Sequence, residues 1–230
     1  MQVKNVLIGT LALSITGVAA AATTPFTESF GGGNANWGGG ADWQTFAPLD
    51  WTATGGHDGG GFVSTTNNFA DFTPGGFPLT LFRGQDNFGS SGGNFEGDWL
   101  SGGIVDFRFW VRHDADVALD YFVRFTPVGA NAPSMNLFFD QPVQGGEWTE
   151  LSLVVSPDND DFVVGGGPGT FGSVFGNLGK IQIGADVSDL AGIDQEFTFD
   201  LSEVSINIPA PGALAVFGLA FAARGRRRTN

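Results

Sequence analysis

The 230-residue sequence predicts an all-β fold, a single antiparallel β-sandwich, and three observations predict it. The composition carries 23 Phe, 6 Trp and 37 Gly but one Tyr and two Met, which suits half-buried pleated surfaces joined by tight turns. Short runs of alternating apolar and polar residues recur, separated by clusters of Gly, Pro, Asn and Asp. Between residues 23 and 207 no stretch sustains the 3.6-residue period of an amphipathic helix, and there is no fixed-period repeat.

Taken in order, residues 24–30 form a first strand in which Phe26 and Phe30 alternate with polar neighbours. A glycine loop around Trp37 follows, then a short strand at 51–54. The run Gly55-Gly56-His57-Asp58-Gly59-Gly60-Gly61 is a turn, because glycine adopts positive φ freely. Strands are predicted at 62–65 and 79–82, the latter inside a loop-rich stretch from 67 to 103. Residues 104–113 alternate clearly: Val105, Phe107, Phe109 and Val111 share one face, and Asp106, Arg108, Trp110 and Arg112 the other. Asp114-Ala115-Asp116 predicts a three-residue hairpin connection. The return strand, 117–126, turns Leu119, Tyr121, Val123 and Phe125 inward and Asp120, Phe122 and Arg124 outward. Further strands are predicted at 135–140, 148–155, 178–185 and 196–206, with 165–176 as a long loop. Roughly nine to ten strands in one domain imply two sheets packed face to face.

The polar face of the central hairpin is the first candidate site. Asp106, Arg108, Trp110, Arg112, Asp120, Phe122 and Arg124 would lie together there, where aromatic rings can cover a sugar and charged groups can take its hydroxyls. The alternative is structural: cross-strand Asp–Arg pairs steady an outer sheet face, and the aromatics are covered by the 67–103 insertion. Asp158-Asn159-Asp160-Asp161 is a second acidic cluster, better suited to a solvated turn. Support for catalysis is thin: the chain has two histidines, no cysteine and no His-Glu-x-x-His metal motif.

Both ends differ from the middle. Residues 1–22 read as a signal peptide, with Lys4 as the positive start, an apolar run at 6–18 and a small-residue cleavage site at Ala20-Ala21-Ala22. At the other end, residues 208–230 combine a proline motif, an apolar run and Arg224, Arg226, Arg227 and Arg228. The apolar part would make a helix of roughly 18 Å, short for a hydrocarbon core of ~30 Å. It suits temporary insertion with the arginines cytoplasmic; the alternative is a helix docked on the domain. Removing both ends leaves 23–207, where five basic residues stand against all 24 acidic ones, a net charge of −19. That argues against a nucleic-acid partner and suits solubility or cation binding outside the cell. With no cysteine, the core must stand without disulfides.

Two resemblances follow from these residues. Ile208-Pro209-Ala210-Pro211-Gly212-Ala213-Leu214-Ala215, the apolar run and the arginine end resemble a PEP-CTERM sorting signal. Ala210 stands where that family usually has Glu. The resemblance implies recognition by exosortase, a transient anchor in the bacterial membrane, and delivery to the surface, often beside exopolysaccharide. Glu28-Ser29-Phe30, the segment from Trp51 to Asp58-Gly59-Gly60, and Phe197-Thr198-Phe199-Asp200-Leu201 resemble carbohydrate-binding-module jelly rolls of the galactose-binding-like kind. That resemblance implies a structural Ca2+ held by Glu28, Asp58 and Asp200, with turn carbonyls completing six to eight oxygens. The expectation is therefore an exported surface or matrix protein whose work is non-catalytic: structural, adhesive or polysaccharide-binding. The alternatives are a secreted jelly-roll hydrolase or lyase, and a purely structural surface protein.

Overall fold

The computed structural model describes residues 22–40, 47–73, 78–129 and 132–208. The expected signal peptide, save Ala22, and Pro209, Ala210, Pro211 and the four arginines at 224–228 lie outside them. Among the described residues no helix is long and apolar enough to cross a membrane.

The strands in chain order are β1 (Phe26–Glu28), β2 (Gly38–Gly39), β3 (Ala47–Pro48), β4 (Asp50–Thr52), β5 (Phe62–Asn68), β6 (Leu79–Gln85), β7 (Asp106–His113), β8 (Tyr121–Pro127), β9 (Ser134–Phe138), β10 (Thr149–Val154), β11 (Val163–Gly165), β12 (Leu178–Ala185) and β13 (Glu196–Asn207). Two short helices, α1 (Trp99–Gly102) and α2 (Phe171–Phe175), join them. One sheet has the order β10-β7-β13-β5-β4, with β1 also paired to β13. The other has the order β11-β9-β8-β12-β6-β2-β3. All named strand pairs are antiparallel. Eight of the twelve steps between consecutive named strands cross from one sheet to the other, and β5-β13-β7-β10 faces β6-β12-β8-β9, which is the jelly-roll arrangement.

The inward faces interlock through aromatic rings. Phe107 meets Phe125 edge-on across the sandwich, their centroids 5.2 Å apart, and Phe109 meets Phe139 at 5.6 Å. Trp99 on α1 enters the same layer, 5.5 Å from Phe125, with its indole N–H donating to the Phe95 carbonyl. Burying each such side chain contributes about 1.5–3 kcal/mol, which is how a cysteine-free domain stays closed.

The expected central hairpin does not form. β7 pairs with β10 and β13, whereas β8 pairs with β9 and β12 in the opposite sheet. The segment from Asp114 to Asp120 bridges the sheets: Ala115 and Leu119 are buried in the core, and Leu119 bridges to Val143. Alternation tells which face a side chain takes, but not which strand lies beside it. The expected loop at 165–176 holds the end of β11 and the whole of α2. Thr170 caps that helix reciprocally with Ser173, and Phe171 and Phe175 pack on Phe162.

Candidate functional site

The seven side chains expected in one groove are divided between two surfaces. Asp106, Arg108, Trp110 and Arg112 lie on the outer face of β7 in the six-stranded sheet, opposite the buried Phe107, Phe109, Val111 and His113. Phe122 and Arg124 lie on the outer face of β8 in the other sheet. Sheets stack about 10 Å apart, so no small ligand touches both groups. Asp120 sits exposed just before β8, its carbonyl accepting from the Asp186 amide.

On the six-stranded sheet the charges satisfy one another. Asp106 Oδ2 accepts from Arg108 Nε (2.9 Å) and Nη2 (2.7 Å) and from Asn207 Nδ2 (3.0 Å). The Asp106 hydrogen bond holds the Arg108 guanidinium above its ordinary pKa. Arg112 donates to Asp200 Oδ2 through Nε at 2.8 Å and lies 4.5 Å above the Trp148 ring. The remaining Asp200 oxygen accepts from Ser64 Oγ at 2.7 Å. The glycine turn folds down over Trp110. Its His57 ring lies flat on the indole, with centroids 4.3 Å apart and planes 11° apart. His57 Nε2 also stands 3.6 Å from Glu203, a bulge residue of β13 with φ +40°. Gly56 admits this approach, because a Cβ there would lie 2.7 Å from Ser202 Oγ. One face of the Trp110 indole is thus covered, and the residue stays part-exposed.

The outer side of the seven-stranded sheet carries three side-by-side rows that run across the strands, most of their residues buried: Arg83 is 0% exposed, Phe122 2%, Asn136 3% and Gln182 7%, while Arg124 and Lys180 are part-exposed. One is Phe138–Phe122–Gly184–Thr80. Next to it runs Asn136–Arg124–Gln182–Arg83–Gly38. The third is Thr126–Lys180–Gln85. At ~4.8 Å per strand, Asn136 to Arg83 spans roughly 14 Å. Gly184 makes the aromatic row possible: a Cβ there would come within 2.5 Å of Phe122 Cε1 and 2.0 Å of the Leu79 carbonyl. The Phe122 ring lies over that gap, 5.9 Å from Phe138, which is 45% exposed. Asn136 Oδ1 accepts from Arg124 Nε at 2.8 Å and fixes the guanidinium plane, while Asn136 Nδ2 donates to the Val163 carbonyl. Gln182 Nε2 donates to Thr80 Oγ1 at 3.2 Å, and Arg83 stacks over Phe88. A groove of about 600 Å3 opens beside Phe138, between the sheet edges, with Asp140, Ser152 and Val154 among its walls.

Of the five basic residues between 23 and 207, Arg83, Arg124 and Lys180 lie on this face. Burial lowers the Arg124 pKa. Burial also lowers that of Lys180, with the Arg83 charge pushing the same way and Asp86 opposing. Arg83, Gln182 and Lys180 were not singled out from the sequence. The expected strand at 79–82 stopped one residue short of Arg83, and nothing in the sequence told that 178–185 lies between β6 and β8.

The other candidates separate. Among the described residues no group of three or more His, Asp and Glu side chains could hold a metal ion. Glu28 Oε1 accepts from the Phe30 amide, Asp58 from the Gly60 amide, and Asp200 from Arg112 and Ser64. The Phe30 carbonyl accepts from Trp51 Nε1 at 2.7 Å. Each of the three carboxylates expected to hold calcium thus has its own donor within the domain. Residues 158–161 make a turn, with Asp158 and Asp161 amides donating to Ser156 and Asn159 side chains. The run Gly89-Ser90-Ser91-Gly92-Gly93 has the Gly-x-Ser-x-Gly spacing of a hydrolase elbow. Yet Ser91 is 7% exposed, its hydroxyl accepts from Trp37 Nε1, and both histidines pack elsewhere. Burial raises the Glu96 carboxyl pKa, and Asp86 adds to that. The cavity it lines with Gln85 and Lys180 is about 10 Å3, room for one water at most.

No protein-family model matches the chain, and no curated protein matches it. Among solved structures, an exo-beta-agarase matches with a TM-score of 0.50 and 10% identity, over 82% of this chain and 26% of that one. The CBM22-1 xylan-binding domain of Paenibacillus barcinonensis Xyn10C matches at 0.48 and 13%, over 83% of this chain and 100% of that one. Clostridium thermocellum xylanase 10B, CBM22-1–GH10 modules with xylohexaose, matches at 0.44 and 13%, over 84% of this chain and 29% of that one. The chain thus spans under a third of the xylanase and the agarase. The agarase likeness shows the fold alone.

Proposed function

We propose that the chain is an exported bacterial surface or matrix protein that binds polysaccharide without cleaving it, on the outer face of the seven-stranded sheet. The observation that carries this reading is the exposed Phe138 ring beside the open groove, with the part-exposed Arg124 on the next strand held in place by the buried Asn136. The Phe138 ring can cover the apolar face of a sugar while the Arg124 guanidinium takes its hydroxyls. Phe138 also lines the open groove, so a chain longer than one sugar has somewhere to continue. The jelly-roll strand order supports the same reading. Non-catalysis is supported by the separation of the chemical groups: the carboxyl with the raised pKa, Glu96, faces a cavity too small for a sugar.

Export rests on the leader, and sorting rests on Pro209, Ala210, Pro211 and the four tail arginines, with exosortase and the membrane as the partners they would meet. Affinity electrophoresis of the chain through gels carrying single polysaccharides tests the binding. Retardation by at least one of them that is lost in Arg124→Ala but kept in Trp110→Ala is expected. Retardation by none, or loss in Trp110→Ala alone, contradicts the reading.

A further inference from the structure

Resting on the export reading, we infer that the Ala22–Thr23 bond is a processing site that closes when the domain folds. The peptidase that removes the leader cuts it in the unfolded chain, and folding then seals Thr23 into the domain.

The first argument is where the junction lies. Ala20 and Ala22 give the small-residue pattern that places the cut before Thr23. Sites of proteolytic nicking are ordinarily exposed and loosely held. Thr23 is neither. It is 5% exposed. Its amide donates to the Asp98 carbonyl at 3.0 Å, and its hydroxyl donates to the Glu96 carbonyl at 2.6 Å. Ala22 forms a parallel bridge with Asp98. The nitrogen of the bond to be cut is therefore already a hydrogen-bonded group of the fold. Ala22 is exposed beside an open cleft of about 410 Å3, so one side of the bond faces solvent and the other does not.

The second argument is how the seat is built. The Thr23 carbonyl rests on Gly102, at the end of α1, where a Cβ would overlap its oxygen. The seat is tied into the fold: Asp98 caps α1 by accepting from the Ser101 amide at 2.9 Å, and Trp99 is fully buried. Gly97 also exchanges two backbone hydrogen bonds with Leu178 of β12, at 2.8 and 2.7 Å. An extended peptide bound as an added strand pairs its own amides and carbonyls with its receptor. The Thr23 amide cannot serve both partners, so cleavage requires that it first leave the seat. Hydrolysis puts the hydroxyl of water on the Ala22 carbonyl carbon and its hydrogen on the Thr23 nitrogen. That nitrogen keeps hydrogens to donate, so the trimmed chain seats on Asp98 as the uncut one does.

The test uses the full chain, leader included, with a purified bacterial signal peptidase in detergent. Mass spectrometry follows the product that begins at residue 23, and near-ultraviolet circular dichroism reports folding. Phe107→Asp, which puts a charge in the core, supplies an unfolded chain. Gly102→Val, which crowds the Thr23 carbonyl, and Thr23→Ala, which removes the hydroxyl bond to Glu96, supply folded chains with a loosened junction. The inference expects the folded parent to be cut about tenfold or more slowly than Phe107→Asp, with the two loosened variants in between. A folded parent cut as fast as Phe107→Asp, or both loosened variants cut as slowly as the parent, overturns the inference and leaves export intact. No cut before residue 23 in any of the four chains overturns both the inference and the leader on which the export reading rests.

Discussion

His57 lies flat on Trp110, ring centroids 4.3 Å apart, and this contact covers one face of the indole where the sequence places a sugar groove. The pair fastens the glycine turn to β7. Trp110→Ala should free that turn and cost about 1–2 kcal/mol, the value of a stacked pair with its burial. Chemical denaturation measures the loss. Polysaccharide affinity should not change, because the rows carrying Arg124 and Gln182 are on the far sheet.

Arg112 and Asp200 form a second tie on the same face. Asp200 is 6% exposed and keeps only Ser64 if the guanidinium goes. Arg112→Ala should therefore destabilise the domain by roughly 2–3 kcal/mol, from a stranded carboxylate and a lost stack on Trp148. Arg108→Ala should cost about 1 kcal/mol or less, since Arg108 is more exposed. The denaturation midpoints of the two variants give the comparison.

Gly184→Val should separate fold from function least cleanly, and that is informative. Its side chain would meet both the Leu79 carbonyl and the Phe122 ring. A loss of roughly 2–3 kcal/mol is expected, together with displaced Phe122 and weakened polysaccharide binding. Phe122→Leu, which relieves the ring contact but not the backbone one, should recover part of the stability in the double variant.

His113 sets a pH dependence. Its ring is buried against Tyr121 and Phe199, with Nε2 at 3.0 Å from the Val143 carbonyl and Nδ1 without a partner. Burial lowers its pKa from 6.5. The unfolded chain therefore takes up a proton at higher pH than the folded one. Stability from this residue is full above about pH 6.5 and falls as pH drops below it, until the lowered folded pKa is passed. His113→Phe should flatten that slope in denaturation series between about pH 7 and pH 5.

Much of the fold is legible in the sequence. The alternation at 104–113 gives the face of every residue of β7, and 178–185 coincides with β12. What alternation lacks is the partner. The stretch Asp114-Ala115-Asp116 looks like a hairpin connection, yet Ala115 is a core residue on the way to the other sheet. That one crossing divides the expected site, sending Trp110 and Arg124 to opposite surfaces. Arg83 and Lys180 escape notice for a related reason: a cross-strand row brings together residues some hundred positions apart, through registers that no local pattern records. β2, β3 and β11, of two or three residues each, are defined by pairing rather than by side chains.

Side-chain amide signals report most directly which sheet holds the ligand. In a 15N-labelled chain titrated with fragments of whichever polysaccharide the gels retain, the Gln182 and Asn136 side-chain amides should shift while the Trp110 indole N–H stays in place. A moving Trp110 signal with Gln182 and Asn136 unchanged would put the binding surface on the other sheet and contradict the account.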